Sequence, residues 1–204
     1  MSYYIRILGT QDPNVHLNAI IAKLKSENLN AAFYLGDGDK PQDWELLEVL
    51  TPDGETLFQI ERNSTDDEEL GTEEIQEFMQ SVEQYQPASA AKWLKSYFNK
   101  VEVIYSFELT ELAVMSDENM LIVDKVREAI WDKTGGILQS DDEGFTNEDG
   151  YHILWQFDED AEDDWNMAVL NEQGQWETFM MDLGNPDHRK AFMAGKVPQG
   201  VERS

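Results

Sequence analysis

The sequence predicts an α+β protein built from two β-α-β-β units with mixed or antiparallel sheets. A two-helix connector joins the units, and a C-terminal β-hairpin and short helix complete the chain. Three observations carry this expectation. Stretches alternating apolar and polar residues are interspersed with stretches whose apolar residues fall at i, i+3, i+4, i+7, the signatures of strand and amphipathic helix. Turn tetrads such as Thr51-Pro52-Asp53-Gly54 demand antiparallel hairpins. The order of helix end, short strand, acidic turn and longer strand occurs twice, at residues 29–50 and 134–155.

In chain order, Tyr3, Ile5 and Ile7 alternate with Tyr4, Arg6 and Leu8 as a first strand. Asp12-Pro13 offers a cap and a first-turn proline to a helix over 13–27, whose apolar side is Leu17, Ile20, Ile21 and Leu24. Asn28 and Asn30 close that helix, and residues 31–35 read as a short strand. Residues 44–50 and 56–60 flank the Pro-Asp-Gly turn. After an acidic linker at 63–69, Thr72 caps a helix carrying Ile75, Phe78, Met79 and Val82, and a second helix follows Pro87. Val101, Val103, Tyr105 and Phe107 begin the second unit. Ser116 caps its helix, Gly135-Gly136 ends it, and strands are expected at 137–140 and along Tyr151, Ile153, Trp155 and Phe157. A hairpin over 167–181 and a helix over 186–194 complete the pattern. The expected division is 1–62, 63–100 and 101–204, or one compact domain made of all three.

Leu, Ile, Val and Phe make up about a quarter of the 204 residues, enough for a core despite 42 acidic against 15 basic side chains and a formal net charge of −27. The absence of cysteine excludes disulfides, thiolate metal sites and a cysteine nucleophile, and suits a reducing compartment; a cytoplasmic protein is expected. Nucleic acid and anionic membranes are not expected partners, because both are bound through Lys and Arg clusters. No HExxH, GxSxG, GxGxxG or P-loop string occurs. His16, His152 and His188 stand singly, and each reads as a solvated or hydrogen-bonded side chain. No cofactor is expected, and the sequence leans away from an enzyme. Trp44, Trp155, Trp165 and Trp176 read as core or sheet-face packing ahead of sugar stacking.

Charge distribution is the strongest functional signal. Residues 134–188 contain no Lys or Arg and hold 15 acids, and 63–91 hold eight acids and no base. The expected function is therefore non-enzymatic binding of a basic protein by an acidic face. That face comprises Asp141, Asp142, Glu143, Glu148, Asp149, Asp158, Glu159, Asp160, Glu162, Asp163 and Asp164. In composition, though in no motif, the chain resembles acidic, cysteine-free bacterial immunity and antitoxin proteins and DNA-mimic inhibitors. The alternative is a divalent-cation protein or carboxylate hydrolase using the turns at 37–48 and 141–150. Its metal ligands would be Asp37, Asp39, Asp141, Asp142 and Glu143, although Pro41 and Gln42 occupy the positions where a calcium loop needs a ligand and a glycine.

Overall fold

The computed structural model describes residues 3–66 and 70–203. It is α+β, with strands β1 (Tyr3–Gly9), β2 (Ala32–Leu35), β3 (Leu46–Leu50), β4 (Thr56–Ser64), β5 (Val103–Leu109), β6 (Ile137–Ser140), β7 (Gly144–Phe145), β8 (Asp164–Leu170) and β9 (Trp176–Asp182). The helices are α1 (Leu17–Ser26), α2 (Leu70–Ser81), α3 (Ala88–Tyr97), α4 (Glu111–Val114), α5 (Asp117–Thr134) and α6 (Pro186–Met193). Two compact units cut across the expected divisions at 62 and 100. One comprises residues 1–72 and 101–136, the other 73–100 and 137–204. The reason is strand pairing: β5, which the sequence pattern places at the head of a later segment, lies between β1 and β4.

In the first unit the strands run β2-β3-β4-β5-β1, every pair antiparallel. The register generates one row of Leu35, Leu47, Ile60, Phe107 and Ile5, and beside it Phe33, Val49, Phe58, Leu109 and Tyr3, buried except at the half-buried outer positions Leu35, Phe33 and Tyr3. Phe58 and Phe107 stack at 5.9 Å within this face. Helix α1 contributes Leu17, Ile20 and Leu24 to the core, and α5 contributes Ile122, Val123, Val126 and Ile130. The residues between them in sequence, Tyr4, Glu108, Gln59, Glu48 and Tyr34, form a row on the opposite face, because side chains alternate along a strand.

Of the capping residues expected from the sequence, Ser116 and Asn28 act as expected, whereas Asp12 and Thr72 do not. Ser116 accepts from the Asn119 N–H at 3.4 Å and caps α5 as expected. At the end of α1, Leu29 N donates to Leu24 O and Asn28 N to Lys25 O, a Schellman closure with Asn28 at φ 59°. Asp12, however, does not cap α1. Its carboxylate accepts from Arg62 at 3.1 and 2.6 Å, the helix starts at Leu17, and His16 occupies the cap position without a side-chain bond. Thr72 lies within α2, its hydroxyl donating to Thr65 O and Asp66 O, so it is not a cap either. The expected linker at 63–69 is strand through Ser64, and residues 67–69 of it lie outside the described residues. Gly136 is required at the end of α5: its φ is 94°, and a Cβ there would stand 1.9 Å from Leu8 O.

The order strand-helix-strand-strand recurs, as β1-α1-β2-β3 and, with the four-residue α4 inserted before α5, as β5-α4-α5-β6-β7. The closing strand expected at 151–157 is absent. Glycine at φ 113° turns the chain at 144, so Gly144–Phe145 pairs with β6 instead. Residues 151–157 make only isolated bridges, Thr146 to His152, His152 to Met167, and Gln86 to Trp155. These bridges nevertheless have a role in the second unit. His152 accepts from Ala168 N along one edge of the β8–β9 hairpin, while Glu202 O accepts from Met180 N along the other. The middle of each edge is thereby paired, which shortens the open backbone that invites strand pairing with other chains. Beneath the hairpin lie Trp155, Met167, Val169, Phe179, Met181, Leu183 and Phe192, all buried.

Candidate functional site

The acidic residues of 141–164 belong to the second unit and occupy three short segments. Asp141, Asp142 and Glu143 join β6 to β7, with Asp142 in the left-handed region at φ 61°. Glu148 and Asp149 lie in a turn organised by Asn147, whose Oδ1 accepts from Asp149 N at 3.0 Å and Tyr151 N at 2.9 Å. Residues 158–164 form the loop into β8 together with that strand's first residue, Asp164. Nine of the eleven are exposed; Asp141 and Glu143 are half-buried.

Several of these carboxylates have local duties. Glu148 accepts from the Tyr97 hydroxyl at 2.7 Å, and Gln139 approaches Asp141 Oδ1 at 3.5 Å. Glu143 Oε2 lies 4.0 Å from His152 Nε2. His152 is 6 % exposed, its ring packed edge-on against Trp165 at 4.7 Å and tilted against Phe157 at 5.2 Å. Burial pushes its imidazole down to about 4, so it is neutral near pH 7. Phe157 and Trp165 bracket the loop 158–164, and His152 therefore anchors both of its ends.

The same loop is tied from the other side by Arg189 of α6. Its guanidinium donates to the carbonyls of Leu183, Glu159 and Ala161, the last at 2.6 Å, and lies 5.5 Å over the Trp155 ring. This arginine thus directs its donors at main-chain oxygens and leaves the exposed carboxylates of the loop without a guanidinium partner from α6. At the hairpin's end Asp164 stands directly opposite Asp182. Like charges in that position repel.

The turns assigned to the metal alternative are held together differently. Asp39 Oδ2 accepts from Glu45 N at 3.1 Å and Leu46 N at 3.0 Å, closing the turn before β3, while Asp37 is exposed. Among the described residues no group of three His, Asp or Glu side chains is placed to hold a metal ion. Of the remaining histidines, His16 is exposed beside a cavity of about 490 Å³ lined by Asn14, Val15, Asn18, Ala19 and Lys133. His188 caps nothing, and its backbone N–H donates to Asn185. The tryptophans pack: Trp44 meets Tyr105 edge-on and donates to Val15 O, Trp176 meets Trp93, and Trp155 and Trp165 join the second core.

Sequence reasoning missed a cavity of about 350 Å³ in the first unit. Its lining is Glu48, Thr56, Gln59, Glu108, Leu109, Thr110 and Glu111. Glu48, Gln59 and Glu108 are cross-strand neighbours on β3, β4 and β5, so their side chains share one face. The polar phase of each strand was visible in the sequence. The register that aligns the three was not, because β5 inserts beside β4 from forty residues away.

No family model matches the chain, and neither a curated protein nor a solved structure matches it.

Proposed function

We propose that the protein is a non-enzymatic binding protein, of inhibitor or immunity type, that engages a basic protein through the acidic segments between residues 141 and 164. The observation that supports this reading is the treatment of charge around the loop 158–164. Six carboxylates in seven residues are exposed, and the adjacent arginine is committed to backbone carbonyls. Across the hairpin Asp164 faces another aspartate, where a basic residue would be more stable. A surface retained against its own repulsion raises the local concentration of a cationic partner and speeds its encounter.

The test is affinity capture from lysate of the source cells at low salt, comparing the wild type with a neutralised loop (D158N, E159Q, D160N, E162Q, D163N). The expected result is a basic protein, identified by mass spectrometry, that the wild type retains, that about 0.5 M NaCl releases, and that the neutralised loop fails to retain. Capture that is equal for both proteins, or unaffected by salt, contradicts the proposal.

A further inference from the structure

The sheet of the first unit ends on a strand whose outer backbone is unpaired. Strand β2 pairs with β3 on one side only. Gly36 N donates to Leu46 O, which sets the phase of that ladder: Gly36, Tyr34 and Ala32 turn their backbone groups toward β3. The N–H and C=O groups of Phe33 and Leu35 therefore point away from the sheet, and among the described residues none of them meets a protein partner. Backbone left open in this way is satisfied by another strand. We propose that a second copy of this chain supplies it, through antiparallel pairing of β2 with β2 about a two-fold axis at Tyr34.

The outward groups set the register. With the axis at Tyr34, Phe33 of each copy stands opposite Leu35 of the other, and these pairs exchange N–H···O bonds in both directions. The same pairing serves the side chains. Phe33 and Leu35 lie on the core-facing side at the outer ends of the two apolar rows, where both remain half-buried, and each gains an apolar neighbour across the axis. On the opposite face Tyr34, 63 % exposed, meets Tyr34 of the second copy as a non-hydrogen-bonded pair with Cα atoms about 4.5 Å apart. Aromatic pairs directly opposite each other stabilise a strand pair.

Charge selects a second copy over a basic strand. Residues 28–36 contain no Asp, Glu, Lys, Arg or His, in a chain with 42 acidic side chains. A cationic strand finds no carboxylate among the residues it would pair with, whereas a second copy places no like charges in opposition along 32–36. Strand β2 also lacks the usual edge protection, having no lysine, no proline and no bulge. Its neighbours confine the contact: Asn28 closes α1 at one end, and Gly38, at φ 94°, turns the chain at the other. An isologous pair uses the β2 edge of both copies and stops at two. Each copy carries a formal charge of −27, so the contact forms against long-range repulsion and salt strengthens it.

The experiment is sedimentation equilibrium of the full chain at about 5–500 μM in about 0.05 and 0.5 M NaCl, with residue-resolved amide exchange by NMR on the same samples. The expected result is a monomer–dimer equilibrium between 23.5 kDa and twice that mass, shifted toward the dimer in the higher salt. The amides of Phe33 and Leu35 are expected to exchange freely in dilute samples and to slow by at least about tenfold in concentrated ones, while that of Tyr34, which points at β3, is unchanged. Tyr34→Lys sets two ammonium groups at the axis and is expected to raise the dimer dissociation constant at least about tenfold with the urea midpoint unchanged. Tyr34→Phe keeps the ring contact and is expected to dimerise like the wild type. A monomer at every concentration and salt overturns the proposal. So does a dimer in which Phe33 and Leu35 exchange as in dilute solution, or one indifferent to Tyr34→Lys. Salt separates this contact from the proposed partner binding: about 0.5 M NaCl favours pairing through β2 and releases a basic partner, and the neutralised 158–164 loop is expected to retain the dimer.

Discussion

Arg189 lies 5.5 Å above the ring of Trp155 and, from that position, ties two carbonyls within the acidic loop, those of Glu159 and Ala161, to the carbonyl of Leu183 just after β9. Helix α6 is in this sense a strut for residues 158–164. Hydrogen bonds to a charged group contribute about 1.5–3 kcal/mol, and the ring contact about 0.5–1 kcal/mol more. Arg189→Ala is therefore expected to lower unfolding free energy by about 2–4 kcal/mol in urea denaturation. Arg189→Lys, which lacks the fork geometry, is expected to recover less than half of that loss.

In the first unit, Asp12 and Arg62 form a two-point pair next to Tyr105, whose phenol burial pushes up to about 12. Arg62 projects from the same face as Tyr105 and Ile7, its cross-strand neighbours toward the core. Removing either partner leaves a half-buried charge without its counterpart. Asp12→Asn and Arg62→Met are each expected to cost about 1–3 kcal/mol, with a double-mutant coupling of about 1–2 kcal/mol. Strictly additive losses in denaturant melts contradict this arrangement.

His152 makes stability depend on pH in a defined direction. An unfolded histidine titrates near about 6.5, whereas the buried ring titrates at about 4. Between those values the unfolded chain holds a proton that the folded chain does not, so stability falls as pH drops from about 6.5 to about 4 and levels off below. The contribution reaches about 3 kcal/mol at its fullest. Since the carboxylates titrate in the same range, the measurement is the difference between wild type and His152→Gln: the variant is expected to show the shallower loss from pH 6.5 to 4. Parallel curves contradict a buried neutral imidazole.

The opposed aspartates at the end of the second hairpin give a stabilising substitution. Asp182→Lys replaces repulsion with attraction across the strand pair from Asp164 and is expected to gain about 0.5–1 kcal/mol, a gain that shrinks in high salt. If the gain accompanies weaker capture of the basic partner, both effects trace to the same field.

Local chemistry was legible in the sequence wherever a residue acts on its near neighbours. Ser116 caps α5, Asn28 closes α1, and the Pro-Asp-Gly turn joins β3 to β4 as the pattern predicts. Long-range competition was not legible. Asp12 has every local qualification for a helix cap, yet an arginine fifty residues away takes its carboxylate. Residues 151–157 alternate like a strand, but the earlier turn at Gly144 supplies β6 with its partner first. The acidic segments were visible as a base-free run, while Arg189, the residue that positions one of them, carries no signal until α6 is seen against Trp155. The cavity at Glu48 and Glu108 depends wholly on strand order.

The proposed docking of a basic protein on the acidic segments of 141–164 has a direct physical readout. Hydrogen exchange of the captured complex tests it most directly. Slowed exchange is expected in peptides spanning 141–150 and 157–165 on partner binding, with the effect abolished by high salt. Protection confined to other surfaces, with these peptides exchanging as in the free protein, would contradict it.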